Sequence, residues 1–357
     1  EITLITEEAY PPYRRLSLTK QAWSMPFDSM ALNTEKQGVN VVTGVRAESI
    51  NETEKTVEAS DGKIYPYDRL LIATGISPRK FPYEGPVYLR TYRDFEILKG
   101  KLEKGKRVLV IGAGFTGLEL SGELRKQGCD VTIIFPEELP CLRFLLRNLC
   151  AEIGETMKKN GIVMLNSDMA EKTEYADGEY RIITKSGKSL SFDVIVASIG
   201  NIPNIPFSDK IVAENGIAVN KYMETNIPDV YAAGDVAQFY SPVFDMTMRR
   251  EFMDNAIKGG KCAASNMCGI PLEYSPVLNT FFDVFDVGYK AVGEYSANMD
   301  VSMKEIGEGS VVFYRKDNVI QGILFWKVKP SIPMAVKCIQ DKLTLSDEEY
   351  LYMMKYL

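Results

Sequence analysis

The chain contains no histidine among its 357 residues. That excludes Ser-His-Asp and Cys-His catalytic arrangements and most zinc enzymes. It leaves chemistry that a bound cofactor carries by itself. Cysteine is sparse: Cys129, Cys141, Cys150, Cys262, Cys268 and Cys338 form no C-x-x-C and show no zinc-ligand spacing. No metal centre is predicted, and the thiols read as reduced and mostly buried, as in a cytoplasmic protein. No apolar run is long enough to span a membrane. Basic charge is not in excess either. Lys and Arg number 42 against 48 Asp and Glu, a net charge of −6, which argues against nucleic acid as a partner. Internal repeats and low-complexity tracts are absent.

What is present is ordinary for a globular protein, 45% hydrophobic and 25% charged, and long enough for two or three domains. Residues 107–138 organise the rest. Val108-Leu109-Val110-Ile111 is a continuous aliphatic run, as expected of a strand covered on both faces. Gly112, Gly114 and Gly117 then spell G-x-G-x-x-G, with Phe115 and Thr116 inside the motif. Residues 118–126 continue at helical spacing, Gly128 ends them, and residues 131–135 are a second strand. The glycines therefore sit at the strand-to-helix turn of a βαβ unit. There the backbone can approach a pyrophosphate, and the helix N-terminus presents unpaired N–H groups. An ordinary glycine-rich turn is the plain alternative, and the flanking strands and helix argue against it. The acidic residue for a ribose arrives as Glu137, after Phe135-Pro136 and roughly 20 residues past the last glycine. No Arg or Lys stands within residues 135–140 to pair with a 2′-phosphate, which favours NAD(H) over NADP(H).

The chain opens in an apolar strand, Ile2-Thr3-Leu4-Ile5, followed by Glu7 and Glu8. It reads as the buried second strand of another βαβ unit whose first strand and glycine loop are expected upstream; solvated surface charge is the plain alternative for the two glutamates. Pro11 and Pro12 set the entry to a short helix that ends near Lys20. A short strand is predicted over 39–42, a hairpin about Asp61-Gly62, and a buried strand over 70–72. The small residues Ala73, Thr74 and Gly75 then let the chain run close to something bulky. Prolines 78, 82 and 86 mark a linker before a helix over 94–104. Beyond residue 138 come a helix over 151–159, a strand over 162–165, a hairpin about Ser186-Gly187 and a buried strand over 194–199 ending at Gly200. Pro203 and Pro206 mark a second linker, strands at 216–219 and 230–233 lead to Gly234-Asp235, and a helix covers 254–269. From Pro276 the pattern changes. Phe281, Phe282 and Phe285 cluster, strands at 311–314 and 320–326 flank the turn Lys316-Asp317-Asn318, and helices are predicted over 333–343 and 347–357.

Residues 67–75 end in Ala-Thr-Gly and residues 225–235 in Ala-Gly-Asp. Set either side of the glycine-loop unit, these motifs resemble those of the FAD-dependent pyridine nucleotide oxidoreductases, flavoproteins with two dinucleotide-binding domains. The resemblance covers nearly the whole chain. Within that family the chain is similar to the ferredoxin/rubredoxin reductase branch, and most of all to the apoptosis-inducing factors. It implies an α/β fold with two Rossmann-like dinucleotide-binding domains and a C-terminal α+β domain. FAD would occupy a discontinuous domain of residues 1–83 and 195–275, its N-terminal glycine-loop segment missing. NAD(H) would occupy residues 84–194, and residues 276–357 would form the α+β domain.

Roles follow from the resemblance residue by residue. Glu7 would hold the FAD adenosine ribose, Arg15 would lie near the flavin pyrophosphate, and Asp235, after Gly234, would bind the ribityl and pyrophosphate region. Ala73, Thr74, Gly75 and Gly200 are further cofactor-binding candidates. Gly112, Gly114, Phe115, Thr116 and Gly117 would bind NAD(H), Glu137 its ribose, and Glu251 would lie near the nicotinamide. Lys20 would sit by the flavin N5, paired with Glu119, and Phe281, beside Asp283, would shield the ring. Lys20, Glu119 and Phe281 are thus the catalytic candidates. A cation near N5 stabilises charge on a reduced flavin, and a buried Lys needs a carboxylate to stay charged; two unrelated surface charges are the plain alternative. The sequence departs from apoptosis-inducing factor in shorter segments over 23–40 and 293–311 and in lacking a basic surface, so no DNA-related or cell-death role carries over. No cysteine precedes Cys129, so disulfide reduction is not expected.

The implied activity is hydride transfer from NADH to FAD and then electron transfer to a quinone, oxygen or a small iron–sulfur protein, in the manner of apoptosis-inducing factor. An NADH-dependent ferredoxin or rubredoxin reductase is the first alternative. A flavin-less NADH-binding or assembly module is the second. A homodimer is compatible with either.

Overall fold

The computed structural model describes residues 1–205, 208 and 210–344. Pro206 of the second linker and the helix predicted over 347–357 lie outside these residues. Among the described residues no helix is long and apolar enough to cross a membrane.

The glycine-loop lobe is built on a four-stranded parallel sheet, ordered Val163–Leu165, Asp130–Ile134, Arg107–Ile111, Val194–Ala197. Val108, Leu109, Val110 and Ile195 are almost fully buried, because elements cover both faces, and hence the uninterrupted aliphatic runs. The helix Phe115–Lys126 follows the strand Arg107–Ile111, and Gly128 ends it in the left-handed region, φ +86°. A second helix, Arg147–Lys159, buries Leu149, Ile153 and Met157. It begins four residues before residue 151, where Arg147 and Asn148 hide its onset from an apolar pattern. A three-stranded antiparallel sheet, Ala170–Ala176, Glu179–Thr184 and Ser189–Phe192, closes the lobe. The last two strands are the predicted hairpin. The first, Ala-Glu-Lys-Thr-Glu-Tyr-Ala, is mostly solvent-facing and carries too little apolar alternation to be read.

The N-terminal lobe is made of smaller pieces. Ile2–Thr6 pairs in parallel with Val39–Thr43, and Leu70–Ile72 with Val230–Ala232. The expectation that Ile2–Thr6 is buried is corrected: Ile2 is 64% exposed and Leu4 and Ile5 are half-buried. In Leu70–Ile72 only Ile72 is buried, whereas Val230–Ala232 is buried throughout. The predicted hairpin about Asp61-Gly62 belongs to a three-stranded meander, Ala47–Asn51, Thr56–Ala59 and Ile64–Pro66. Its first turn is made by Asn51, whose Oδ1 accepts from the N–H groups of Thr53 (3.1 Å) and Glu54 (3.0 Å).

The C-terminal part is a five-stranded antiparallel sheet, ordered Asn279–Val284, Val287–Gly293, Val319–Trp326, Gly309–Lys316, Asp300–Ile306. Asp317 and Asn318 both take positive φ, 51° and 64°, the backbone a two-residue hairpin turn requires. The helix Ile332–Gln340 packs on this sheet, burying Ala335, Cys338 and Ile339.

Candidate active site where the lobes meet

The glycine loop is shaped by steric necessity. Gly112 has φ +105°, and a Cβ there would lie 2.2 Å from the Ser198 carbonyl oxygen; one on Gly117 would lie 2.2 Å from the carbonyl of Gly112. Gly114 differs: a Cβ there would meet nothing within 4 Å. It caps the helix Phe115–Lys126 with no side-chain hydrogen bond, so no side chain competes for the first N–H groups of a 12-residue helix. That donor set fits the pyrophosphate of a dinucleotide. The ring of Phe115 does not line this space. It packs on Phe282 at 5.3 Å, Tyr289 at 5.8 Å and Phe144 at 5.2 Å, and Thr116 is exposed. Glu137 pairs with Arg143, Nε to Oε1 2.5 Å, and its backbone carbonyl accepts from Ser167 N–H at 2.9 Å.

One turn along the same helix, Glu119 meets the N-terminal lobe. The 3₁₀ turn Arg15–Thr19 delivers Lys20, whose Nζ lies 3.0 Å from Glu119 Oε1 and 2.5 Å from Asp283 Oδ1. The second Glu119 oxygen accepts from the Thr19 hydroxyl at 2.8 Å. Lys20 also stands 5.3 Å from the centroid of the Phe281 ring. Phe281 is partly exposed and Phe282 buried, as alternation along Asn279–Val284 demands. Burial raises the pKa of Glu119, Lys20 and Thr19 oppose the rise, and Asp283 adds to it.

A second charged cluster lies within the N-terminal lobe. Glu8 binds Arg15 at 2.5 Å and accepts from the Tyr13 hydroxyl at 2.6 Å. Arg15 Nη1 donates to the Arg90 carbonyl at 2.5 Å, and Arg90 Nη2 lies 3.3 Å from Asp235 Oδ2. Arg249 donates to the Asp235 carbonyl at 2.9 Å and pairs with Glu251 at 2.9 Å, which also accepts from Asn201 at 2.8 Å. Burial raises the pKa of Asp235, with Arg90 opposing. Burial, then Arg15, lowers that of Arg90. Arg249 Nε is buried without a partner among the described residues. Three clustered guanidiniums with an unsatisfied donor fit a pyrophosphate, and a carboxylate at the same place fits ribityl hydroxyls.

Several predicted residues therefore gather in two places: Lys20, Glu119 and Phe281 in one, and Arg15, Gly75, Gly234, Asp235 and Glu251 in the other. Thr74 donates to the Asn204 carbonyl at 2.6 Å, which pins the exposed Ala73–Gly75 turn to the linker. Gly200, φ +97°, stands between the strand Val194–Ala197, which stops two residues short of the expected 199, and the short strand Asn201–Pro203. Glu7 is exposed, and it is the neighbouring Glu8 that turns inward to Arg15. Sequence reading missed Arg90, which touches both flavin-side motifs: a Cβ on Gly75 would lie 3.1 Å from its Nη2. The one signal was its place before Thr91, which caps the helix Tyr92–Gly100 in a capping box with Asp94.

Two nucleotide-type lobes joined at a half-buried ion pair, beside an exposed aromatic ring, define a redox protein that brings two rings together. The chain matches the family of pyridine nucleotide-disulphide oxidoreductases over residues 1–260, and it belongs to that family. It is similar to rhodocoxin reductase of Rhodococcus erythropolis, 30% identical over 290 residues covering 77% of this chain and 68% of that protein. It is also similar to putidaredoxin reductase CamA of Pseudomonas putida, 29% identical over 302 residues covering 79% and 70%. The crystal structure of the covalent putidaredoxin reductase–putidaredoxin complex shares the fold, with a TM-score of 0.90 at 24% identity over 98% of this chain and 89% of that one. The protein is thus an α/β FAD-dependent NADH oxidoreductase.

Proposed function

We propose that the protein passes electrons from NADH through FAD to a small iron–sulfur protein of the ferredoxin or rubredoxin kind. In this reading residues 1–83 and 195–275 hold FAD, residues 84–194 hold NADH, and residues 276–357 cover the flavin through Phe281. The relatives named above speak for a redoxin reductase; the finer likeness to apoptosis-inducing factor gains no support from them. The observation that carries the reading is Lys20, held between Glu119 of the loop helix and Asp283 of the C-terminal sheet. It lies where a ring delivered by one lobe would face a ring seated in the other.

Bound FAD supplies the two-electron to one-electron conversion. The chain's own residues do the rest. The open N-terminus of Phe115–Lys126 holds the dinucleotide phosphates. Arg15, Arg90 and Arg249 hold the flavin pyrophosphate, and Asp235 accepts from its hydroxyls. Lys20 keeps a fixed positive charge at the meeting point, where it stabilises developing negative charge without reorganising. Glu119 and Thr19 fix its position. Phe281 limits access of water to that point.

The test is anaerobic NADH titration of the purified full-length protein, followed by mixing with oxidised ferredoxin or rubredoxin. NADH should bleach the flavin band stoichiometrically, and the redoxin should restore it. Absence of a flavin band would end the reading. Fast reoxidation by a quinone or oxygen, with none by redoxins, would transfer the case to the apoptosis-inducing-factor-like alternative.

A further inference from the structure

The window 135–140 holds no base, yet the fold returns two arginines to it. Arg143 pairs with Glu137 at 2.5 Å, and Arg147 pairs with Glu138. The loop that carries Arg143 is fastened on both sides. Cys141, in the left-handed region at φ 55°, donates its N–H to the Ala113 carbonyl of the glycine loop at 3.1 Å, and Phe144 packs on Phe115 at 5.2 Å. A turn links the two, with Phe144 N–H donating to the Cys141 carbonyl at 2.8 Å. Arg143 is therefore delivered to the strand end where an adenosine ribose would lie.

The charges at that strand end cancel: two carboxylates, Glu137 and Glu138, face two guanidiniums, Arg143 and Arg147. An unscreened Glu repels a 2′-phosphate and so rejects the phosphorylated dinucleotide. Here the repulsion is met by a cation already in place. Arg143 engages Glu137 through Nε, and its side chain is 73% exposed. Its outer N–H edge is thus presented to solvent, in the planar form that suits a phosphate.

We infer that Arg143 receives a 2′-phosphate, so that the dinucleotide site takes NADPH as well as NADH. The inference rests on the reading of the glycine loop as a dinucleotide site. Both are tested by calorimetric binding of ADP-ribose and 2′-phospho-ADP-ribose to the purified protein, which needs no flavin chemistry. The wild type should bind the two within about tenfold of each other, and R143A should weaken the 2′-phospho form by at least about tenfold more than ADP-ribose. E137Q should shift the preference towards the 2′-phospho form. R143K should recover only part of the loss, because a lysine lacks the planar fork. A wild type that binds ADP-ribose but rejects the 2′-phospho form overturns the inference alone, as does an R143A variant that weakens both equally. Failure to bind either ligand overturns the dinucleotide site itself, and the inference with it.

Discussion

The glycine-loop lobe and the N-terminal lobe both use short parallel strands, but different forces hold them. In the first, four adjacent strands form one sheet whose central residues are sealed from solvent on both faces. In the second, three of the four strands in two separate pairs are half-exposed, Val230–Ala232 being the buried one, and contacts across long sequence distances hold the connections. Arg90 meets Asp235, Lys55 meets Asp229 at 2.7 Å, and Thr74 meets Asn204. Tyr10, Phe27 and Tyr92 pack as a cluster with centroids 4.7–4.9 Å apart. The contrast is also chemical. The first lobe offers a ligand its backbone, and the second offers charged side chains. A lobe that binds through backbone geometry should break at its glycines; one that binds through side chains should lose function while keeping its fold.

The largest effect is expected at the glycine loop. In G112A the new Cβ would meet the Ser198 carbonyl and the backbone would be held at an unfavourable positive φ. A loss of about 3–5 kcal/mol in urea unfolding is expected, with no measurable dinucleotide binding. G114A separates the two roles. Its Cβ meets nothing, so the melting temperature should hold while ADP-ribose binding weakens by about tenfold, because the methyl group occupies the phosphate's approach. If G114A and G112A lose stability alike, Gly114 is structural and the cradle is misplaced. Next in size is K20M, which removes the charge joining three segments. Hydride transfer measured by stopped flow should slow by about 10–100-fold, roughly 1.4–2.7 kcal/mol. Stability should fall by less, since each pair is partly exposed. A fall in stability equal to the loss in rate would reduce Lys20 to a brace between lobes.

The same contrast explains what the sequence revealed. The unit of residues 107–138 is local, and its strand, glycines and helix are specified within one window, so its geometry follows from pattern alone. The turn at Asp317-Asn318 was legible for the same reason. Lys20, Glu119 and Asp283 come together from positions far apart in the chain, and no periodicity places them; only the family resemblance brought the first two into view. Arg90 and Glu8 show the limit. Glu8 sits beside Glu7, which was singled out, and Arg90 stands between a linker and a helix with no motif of its own; only the fold turns each of them inward. Arg143 shows the reverse error: a rule that counts bases along six residues misses one returned by a turn.

The smallest effect compares two carboxylates, one in each role. Asp168 lies at the base of the antiparallel sheet of the glycine-loop lobe, only 4% exposed. Burial pushes its pKa up, but the Ser186 hydroxyl at 2.6 Å, Thr184, and the N–H groups of Met169 and Ser186 outweigh burial and hold it down at about 2. A folded value below the unfolded one means the unfolded chain binds the extra proton. Its stabilisation is therefore present above the unfolded pKa of 3.8 and lost as pH falls through about 2. D168N should cost about 1–2 kcal/mol in urea at neutral pH, with the gap to wild type closing as pH approaches 2. Glu119 has the opposite sign. Its folded pKa is raised, chiefly by burial, so its contribution is present below the unfolded value and lost as pH rises through the folded one. E119Q should leave neutral-pH stability unchanged or slightly higher, because Lys20 keeps Asp283, while hydride transfer slows. A carboxylate that costs stability where it stands is one retained for chemistry. If E119Q and D168N destabilise the protein equally, Glu119 is a structural anchor like Asp168, and the ion pair at the meeting point holds the lobes together without tuning the chemistry between them.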